Sequence, residues 1–210
     1  MKFFIDLFCG LGGASEAFVR DPAWKVIRID NNEELLEHVR GMWLLDMMDW
    51  QDVFVCLYAH LPADAEIFVW ASPPCTDFSL KNPDRSMDGE FDLTLLDNTL
   101  KLIDRLQRGY NVRGWIIENV RGAITPFTEH MNREYSQRIG PFFLWGSFIP
   151  IALVDASLDR HRKPFNKTNS KTALRSNIHA LVPYALSDSL RLTLNNQQSI
   201  LGYLKDTESC

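Results

Sequence analysis

Short apolar runs alternate along the chain with segments in which apolar residues recur at helical spacing. The runs predict strands at residues 2–8, 25–29, 42–45, 66–71 and 114–117. The periodic segments predict helices at residues 14–20, 33–40, 52–60, 93–106 and 183–194. Two adjacent strands are also predicted, at residues 142–145 and 148–154, around Gly146-Ser147. This alternation is typical of an α/β protein with a doubly wound, mostly parallel sheet flanked by helices.

Most of the candidate functional residues lie at the carboxyl ends of the predicted strands. In open parallel sheets, ligands bind at this edge. A chain of 210 residues fits a single domain, here residues 1–210, so these segments should meet in one site. The segments are Asp6 to Gly13, Asp30, Asp46, Ser72 to Cys75, and Glu118.

The cysteines indicate a reducing compartment. Cys9, Cys56, Cys75 and Cys210 are irregularly spaced and form no C-x-x-C pair, which favours free thiols, a cytoplasmic protein and no metal site. The apolar start of the chain is interrupted by Asp6 after three residues, too early for the core of a signal peptide. No apolar run is long enough to cross a membrane, so no membrane association is expected.

Charge is unevenly distributed. The formal net charge of -5 argues against a protein that only coats nucleic acid. Residues 160–175, however, contain six basic side chains and no acidic one. This segment, part of a predicted loop at residues 155–180, is either a solvated surface loop or a nucleic-acid contact within an otherwise acidic protein.

The turn after the first strand, Asp6-Leu7-Phe8-Cys9-Gly10-Leu11-Gly12-Gly13, allows close backbone approach to a ligand. Its G-x-G-G spacing differs from the G-x-G-x-x-G of dinucleotide-binding proteins. Phe8 could lie flat on an adenine ring or belong to the core. Asp30 could bind ribose hydroxyls, and Asp46 could accept from an adenine amine. Each of these acids could instead cap a helix.

Two further motifs carry candidate catalytic groups. In Ser72-Pro73-Pro74-Cys75, the prolines should hold Cys75 in a stiff, extended loop, where it is either a nucleophile or an incidental thiol. In Glu118-Asn119-Val120, a protonated Glu118 could bind the N3 side of a cytosine, provided that burial raises the pKa of its carboxyl group. Its alternative role is that of a capping carboxylate.

In this order, the motifs D-L-F-C-G-L-G-G, S-P-P-C and E-N-V resemble those of the C5-cytosine DNA methyltransferase family. The resemblance implies a Rossmann-like fold and methyl transfer from S-adenosylmethionine to C5 of cytosine in DNA. Cys75 would bond covalently to C6, while Glu118 and Arg138 would contact the base. The implied cofactor residues are Asp6, Phe8, Gly10, Leu11, Gly12, Gly13, Asp30, Asn31, Asp46, Met47 and Pro74. The expected nucleic-acid contacts are Ser79, Arg160, Arg162 and Lys163.

The sequence departs from the family in three places. The residue before the Pro-Cys pair is proline here, whereas the family most often has another residue there. His179 stands where the family usually has asparagine, ahead of its last motif at Val182-Pro183. Only residues 150–178 separate the two late motifs, which is too short for a target-recognition domain.

This short interval leaves the acceptor open. The same chemistry could act on RNA or on a cytosine nucleotide, and a protein partner could supply target recognition. A catalytically silent subunit that binds cofactor or nucleic acid is a further alternative.

Overall fold

The computed structural model describes residues 1–78, 91–153 and 180–208, with side chains of the last helix described up to residue 196. Four of the expected nucleic-acid contacts, Ser79, Arg160, Arg162 and Lys163, lie outside the described residues, as does the basic segment as a whole. The predicted loop at residues 155–180 is therefore untested.

The described elements follow the predicted alternation. The strands are β1 (Lys2–Leu7), β2 (Trp24–Asp30), β3 (Met42–Leu44), β4 (Glu66–Ala71), β5 (Asn111–Asn119), β6 (Gln137–Ile139) and β7 (Phe142–Ser147). The α-helices are α1 (Glu16–Val19), α2 (Trp50–His60), α3 (Thr94–Gly109), α4 (Ile124–Met131) and α5 (Tyr184–Glu208). Short 3-10 helices occupy Glu33–Glu37, Met47–Asp49 and Arg121–Ala123.

The strands of the described chain form one sheet in the order β3-β2-β1-β4-β5-β7-β6. The first five pair in parallel, whereas β7 runs antiparallel to both β5 and β6. The predicted doubly wound, mostly parallel α/β fold is confirmed. The strand order reverses at β1, so the carboxyl ends of β1 and β4 flank the switch point at which such sheets bind ligands.

Each face of the sheet buries its own apolar cluster. On one face, Leu57 of α2 and Leu102 of α3 pack against Ile5 and Ile67 of the sheet, all fully buried. The other face is covered by α1 and α5. Its cluster includes Phe4, Phe18, Phe68, Leu186 and Leu190. Two covered faces explain why the central strands are continuous apolar runs rather than alternating ones.

The second strand predicted after Gly146 was wrong. Residues 148–153 form no strand, and β7 pairs with β6 instead. Pro150 lacks the N–H that a ladder needs, which weakens this segment as a strand. The segment is held by a side chain: Gln137 donates to the Ile151 carbonyl and accepts from its N–H, at 2.9 and 2.8 Å.

Several boundaries also differ from the predictions. The helix expected at residues 33–40 is a 3-10 helix over Glu33–Glu37, capped by the Asn32 side chain. The helix expected at residues 14–20 is the single turn of α1. At the end of the chain, α5 continues well past the predicted residue 194 to Glu208.

Candidate active site

The glycine-rich turn leaves β1 in an unusual backbone conformation. Phe8, Gly10 and Gly12 have φ values of +56°, +51° and +76°, a region that favours glycine. Phe8 adopts this conformation although it has a side chain, which is uncommon. The residues around the turn must therefore hold its backbone in this conformation. The Gly10 N–H donates to the Asp30 carboxylate at 2.9 Å, which ties the turn to the end of β2.

A buried polar network supports the turn from below. Arg28, which lies between the buried Ile27 and Ile29 of β2, donates to the Ser15 hydroxyl at 2.8 Å and to the Gly12 carbonyl at 3.1 Å. Ser15 in turn donates to the Asp6 carboxylate at 2.5 Å. A Cβ atom on Gly12 would lie 2.7 Å from the Arg28 guanidinium carbon and would displace this side chain from the network, and the φ of +76° independently favours glycine.

The last helix holds the same segment from the side. The Ser187 hydroxyl of α5 donates to the Ala14 carbonyl at 2.6 Å and accepts from the Ala17 N–H at 3.1 Å. A Cβ atom on Gly13 would collide with the Val182 carbonyl. The third glycine of the turn therefore permits close packing against the residues before α5.

One cavity gathers six of the eleven residues expected to hold a cofactor. These are Phe8, Asp30, Asn31, Asp46, Met47 and Pro74. The apolar side chains of Ile29, Leu45 and Leu95 complete its wall. The cavity combines an aromatic ring, apolar walls and two carboxylates, a set of groups that suits an adenosine moiety.

The two acids in the cavity also fix the backbone around it. Asp30 accepts from the N–H groups of Gly10 and Asn32. Asp46 accepts from the Met48 N–H at 2.8 Å and from the Asn31 amide at 3.0 Å. Both carboxylates line the cavity, but only Asp46 also caps a helix, the one at Met47–Asp49. The cap of the Glu33–Glu37 helix is Asn32, so the capping alternative for Asp30 was wrong.

The remaining expected cofactor residues support the cavity without being among the residues that line it. Asp6 is buried in the Ser15 and Arg28 network, and burial raises the pKa of its carboxyl group to about 7. Leu11 packs against the buried cluster that contains Cys9 and Leu35. Gly10, Gly12 and Gly13 contribute through the backbone contacts described above.

The proposed nucleophile lies directly beside this cavity. Pro74 lines the cavity, and the half-buried Cys75 follows it in the chain. The loop is anchored to β5, because the Asn119 side chain donates to the Pro73 carbonyl at 3.0 Å. The Phe78 N–H donates to the Cys75 carbonyl and closes a turn around the thiol.

Glu118 is buried at the carboxyl end of β5, close enough to Cys75 for the two groups to interact electrostatically. Burial raises the pKa of its carboxyl group to about 7, against a smaller opposing effect of a hydrogen bond with Ser72. Burial also raises the pKa of the Cys75 thiol, and the nearby Glu118 charge raises it further. The site therefore holds a carboxyl group that is half protonated near neutral pH beside a thiol that is mostly protonated there.

The sequence of the chain also matches one known protein family. The sequence profile described as C-5 cytosine-specific DNA methylase matches residues 2–139, which is most of the chain and includes Cys75 and Glu118. The protein belongs to this family. No curated protein matches the chain.

Three solved structures to which this chain is similar are distant from it in sequence. The Entamoeba histolytica methyltransferase EhMeth is 15% identical, with a TM-score of 0.39 over 72% of this chain and 54% of that one. The S. pombe Dnmt2 methyltransferase is 20% identical, with a TM-score of 0.36 over 60% and 37%. The 16S rRNA methylase RmtB is 14% identical, with a TM-score of 0.34 over 69% and 54%. This chain thus spans about half, or less, of the length of each.

One residue expected in the candidate active site points elsewhere. Arg138 of β6 is exposed, donates to the Gly140 carbonyl at 3.0 Å and lies over the Phe143 ring. Phe143 pairs with Asn119 in the sheet, whereas Glu118 pairs with Leu144. Because neighbouring positions of a strand face opposite sides, Arg138 and Glu118 project from opposite faces, and contact with the same base would require Arg138 to reorient.

Four residues contribute contacts to the site that the sequence did not predict. They are Arg28 beneath the glycine turn, Ser72 beside Glu118, Asn119 at the Pro73 carbonyl, and Gly122. A charged residue within the apolar run of β2 was a detectable signal for Arg28. The contact of Gly122 depends on a loop distant in sequence and gave no local signal.

Gly122 provides a test of how closely the catalytic loop packs. A Cβ atom on Gly122 would collide with the Phe78 carbonyl, which belongs to the turn that follows Cys75. We expect Gly122→Ala to displace this turn and to lower the rate of methyl transfer about a hundredfold or more, a typical cost of misplacing a catalytic group by about 1 Å.

The control for Gly122→Ala is Gly109→Ala, since nothing lies within 4 Å of a Cβ atom built on Gly109. Neither glycine has a positive φ, so the two substitutions differ in the collision and not in backbone strain. Thermal unfolding of both variants measures any loss of stability apart from the loss of activity. Unchanged activity in Gly122→Ala would show that the loop can shift without affecting Cys75.

Proposed function

We propose that this protein transfers a methyl group from S-adenosylmethionine to C5 of cytosine in DNA, through a covalent bond between Cys75 and C6. One observation carries the proposal. Cys75 and the buried Glu118 lie within electrostatic range of each other at the carboxyl edge of the sheet, and Cys75 directly follows Pro74, which lines the cavity with Phe8, Asp30 and Asp46. Family membership supports methyl transfer to cytosine as the class of reaction.

The lining of the cavity fits S-adenosylmethionine. Phe8 would stack on the adenine, Asp30 would accept from the ribose hydroxyls, and Asp46 would accept from the adenine amine. Asn31 and Met47 would border the adenosine, and the Gly10 to Gly13 backbone would follow the rest of the cofactor. When bound, the cofactor supplies an electrophilic methyl group on a sulfonium centre. Because Pro74 is part of this wall, cofactor binding also orders the residue that precedes the nucleophile.

The two catalytic groups act on the cytosine in succession. The Cys75 thiolate adds to C6, and the electron pair of the C5–C6 bond moves into the ring. Protonated Glu118 holds the N3 side of the ring and neutralises the charge that develops there. The addition gives C5 the enamine character with which it would take the methyl group, while the methyl–sulfur bond would break and leave its electron pair on the sulfur of S-adenosylhomocysteine. A base then takes the C5 proton, the electrons of that C–H bond restore the C5–C6 double bond, N3 returns its proton to Glu118, and Cys75 leaves C6 as the thiolate.

DNA is proposed as the acceptor because the matched family is described as a DNA methylase. A cytosine in a duplex must leave the base stack, which costs a few kcal/mol. Basic residues at 160–175, among them Arg160, Arg162 and Lys163, would offset part of this cost by contacting phosphates. A protein partner that supplies target recognition would offset more of it.

The test is a methyl-transfer assay with tritiated S-adenosylmethionine and four acceptors in parallel: duplex DNA, single-stranded DNA, RNA and cytosine nucleotides. We expect label in 5-methylcytosine of DNA. Label in RNA or in the nucleotides alone would overturn the proposed acceptor. Tight cofactor binding without transfer to any acceptor would favour a silent subunit.

The placement of the adenosine can be tested separately through Asp46. Asp46→Ala should weaken S-adenosylmethionine binding about tenfold or more, because a hydrogen bond to a charged group contributes about 1.5–3 kcal/mol. Equilibrium dialysis or calorimetry gives the dissociation constant without an acceptor.

Two further variants separate binding from capping. Asp46→Asn keeps an oxygen for the Met48 N–H and should lose less affinity than the alanine variant. Asp64→Ala removes an exposed carboxylate that pairs with the amino terminus at the opposite edge of the sheet, and it should change nothing. Equal affinities for all three variants and the wild-type protein would place the adenosine elsewhere.

A further inference from the structure

The ends of β4 and β5 place three polar side chains on one face of the sheet. Trp70 pairs with Ile116 in the parallel register, and both belong to the apolar cluster beneath α5. Side chains two positions apart on a strand share a face, so Ser72 follows Trp70 and Glu118 follows Ile116 on that side. Ser72 and Glu118 are therefore neighbours on adjacent strands.

The indole fixes the hydroxyl group beside the carboxyl group. The buried Trp70 indole N–H donates to the Ser72 hydroxyl oxygen at 2.8 Å. The Ser72 hydroxyl group faces Glu118 from the adjacent strand, and it lowers the pKa of the Glu118 carboxyl group. Because the indole occupies one lone pair of the hydroxyl oxygen, the hydroxyl proton is free to point at the carboxylate. Donation in this direction stabilises the charged form of Glu118.

The other groups that face Glu118 do little to stabilise its charge. Leu144 of β7, its partner in the sheet, is apolar. Cys75 approaches from the loop, and its thiolate would repel the carboxylate. Asp6 lies two strands away on the same face and is bonded to Ser15. Within the described part of the chain, no cation forms an ion pair with Glu118.

We propose that Ser72, oriented by the Trp70 indole, is a positioning residue that holds the Glu118 carboxyl group in place at the end of β5. The inference rests on the proposed function only for its catalytic consequence, since this arrangement exists in the protein without cofactor or nucleic acid. The hydroxyl group thereby tunes the acid that activates the cytosine. A purely structural serine would support the strand end without affecting protonation.

The direct test is an NMR titration of the Glu118 carboxyl carbon in protein labelled only at the side-chain carboxyl of glutamate, so that Asp6 is silent. Glu118→Gln assigns the signal. In the wild-type protein the midpoint should lie at about 7. Ser72→Ala should move it upward, because the carboxylate loses its donor. Ser72→Thr keeps a hydroxyl group and should restore the wild-type midpoint.

A second variant tests the role of the indole. Trp70→Phe keeps an aromatic ring but removes the N–H, and it should move the midpoint in the same direction as Ser72→Ala. An unchanged midpoint in Ser72→Ala would overturn the inference, even if the variant had lost activity.

The titration tests the role of Ser72, and the activity assay tests the role of Glu118 in the proposed function, so either can be contradicted without the other. If the midpoint moves upward in Ser72→Ala, the pH at which kcat/KM stops rising should move upward with it. A moved midpoint with an unmoved kcat/KM profile would support the role of Ser72 and would instead remove Glu118 from the catalytic step of the proposed function.

Discussion

Replacing Cys75 by serine is expected to lower the rate of methyl transfer by at least about a thousandfold, equivalent to ~4 kcal/mol in activation free energy. A thiolate is a far better nucleophile toward C6 than a hydroxyl group, whose proton is much harder to remove. The affinity for S-adenosylmethionine should stay within about twofold of wild type, because the cavity is lined by the preceding Pro74 and not by Cys75. Single-turnover transfer and equilibrium dialysis measure the two effects separately.

Cys56→Ser is the matched control for this substitution. Cys56 is also a free, partly buried thiol, but it lies on α2 and away from the loop. It should retain both activity and cofactor binding. A denaturing gel would add a further criterion, since the wild-type protein should trap DNA that contains a C5-fluorinated cytosine and Cys75→Ser should not. Loss of cofactor binding in Cys75→Ser would indicate a structural role for the thiol.

Replacing Glu118 by glutamine should lower methyl transfer about 10²–10⁴-fold, the usual contribution of a positioned acid or base. The amide preserves the shape of the carboxyl group, but it cannot provide a proton at N3. Because the side chain is buried at the end of β5, the neutral amide should not destabilise the fold.

The pH dependence of kcat/KM distinguishes this role from simple packing. Transfer needs Glu118 protonated and Cys75 ionised, and the pKa of Glu118, about 7, is the lower of the two because burial also raises that of Cys75. Below pH 7, Glu118 keeps its proton and the thiolate fraction grows with pH, so kcat/KM should rise. Above pH 7, each gain in thiolate is offset by an equal loss of protonated Glu118, so kcat/KM should level off.

In Glu118→Gln the break near pH 7 should disappear, and kcat/KM should continue to rise until the thiol ionises. The thiol should also ionise at lower pH than in the wild-type protein, because the nearby negative charge is gone. A break that persisted in this variant would belong to another group. Asp6 would then be the first candidate, since burial raises its pKa to about 7 as well.

The sequence predicted which residues lie at the carboxyl edge of the sheet better than it predicted the contacts between distant segments. The strand at residues 66–71 matches β4 in full, because an apolar run bounded by Pro62 and by Pro73 leaves little freedom in its length. The acids at strand ends converge on one cavity because parallel strands end at a common edge. The positions of Asp30 and Asp46 were therefore predictable from local signals.

Contacts between distant segments were not predictable in the same way. The orientation of Arg138 depends on a strand pairing, β6 with β7, that the apolar pattern placed on the other side of Gly146. Gly122 and Asn119 contact backbone carbonyls of the loop that carries Cys75. Since every residue has a backbone carbonyl, the sequence of that loop does not indicate these contacts. The Arg28 network required the tertiary fold to bring Gly12 over β2.

The hydroxyl group of Ser187 bonds to the backbone of Ala14 and Ala17, which precede it in the chain by 173 and 170 positions. A contact of such long range must offset the entropy of closing a long loop. During synthesis, residues 14–17 leave the ribosome before Ser187, the residue that braces them. A nascent chain should therefore lack this brace, and with it the fixed geometry of the glycine turn, until α5 has emerged.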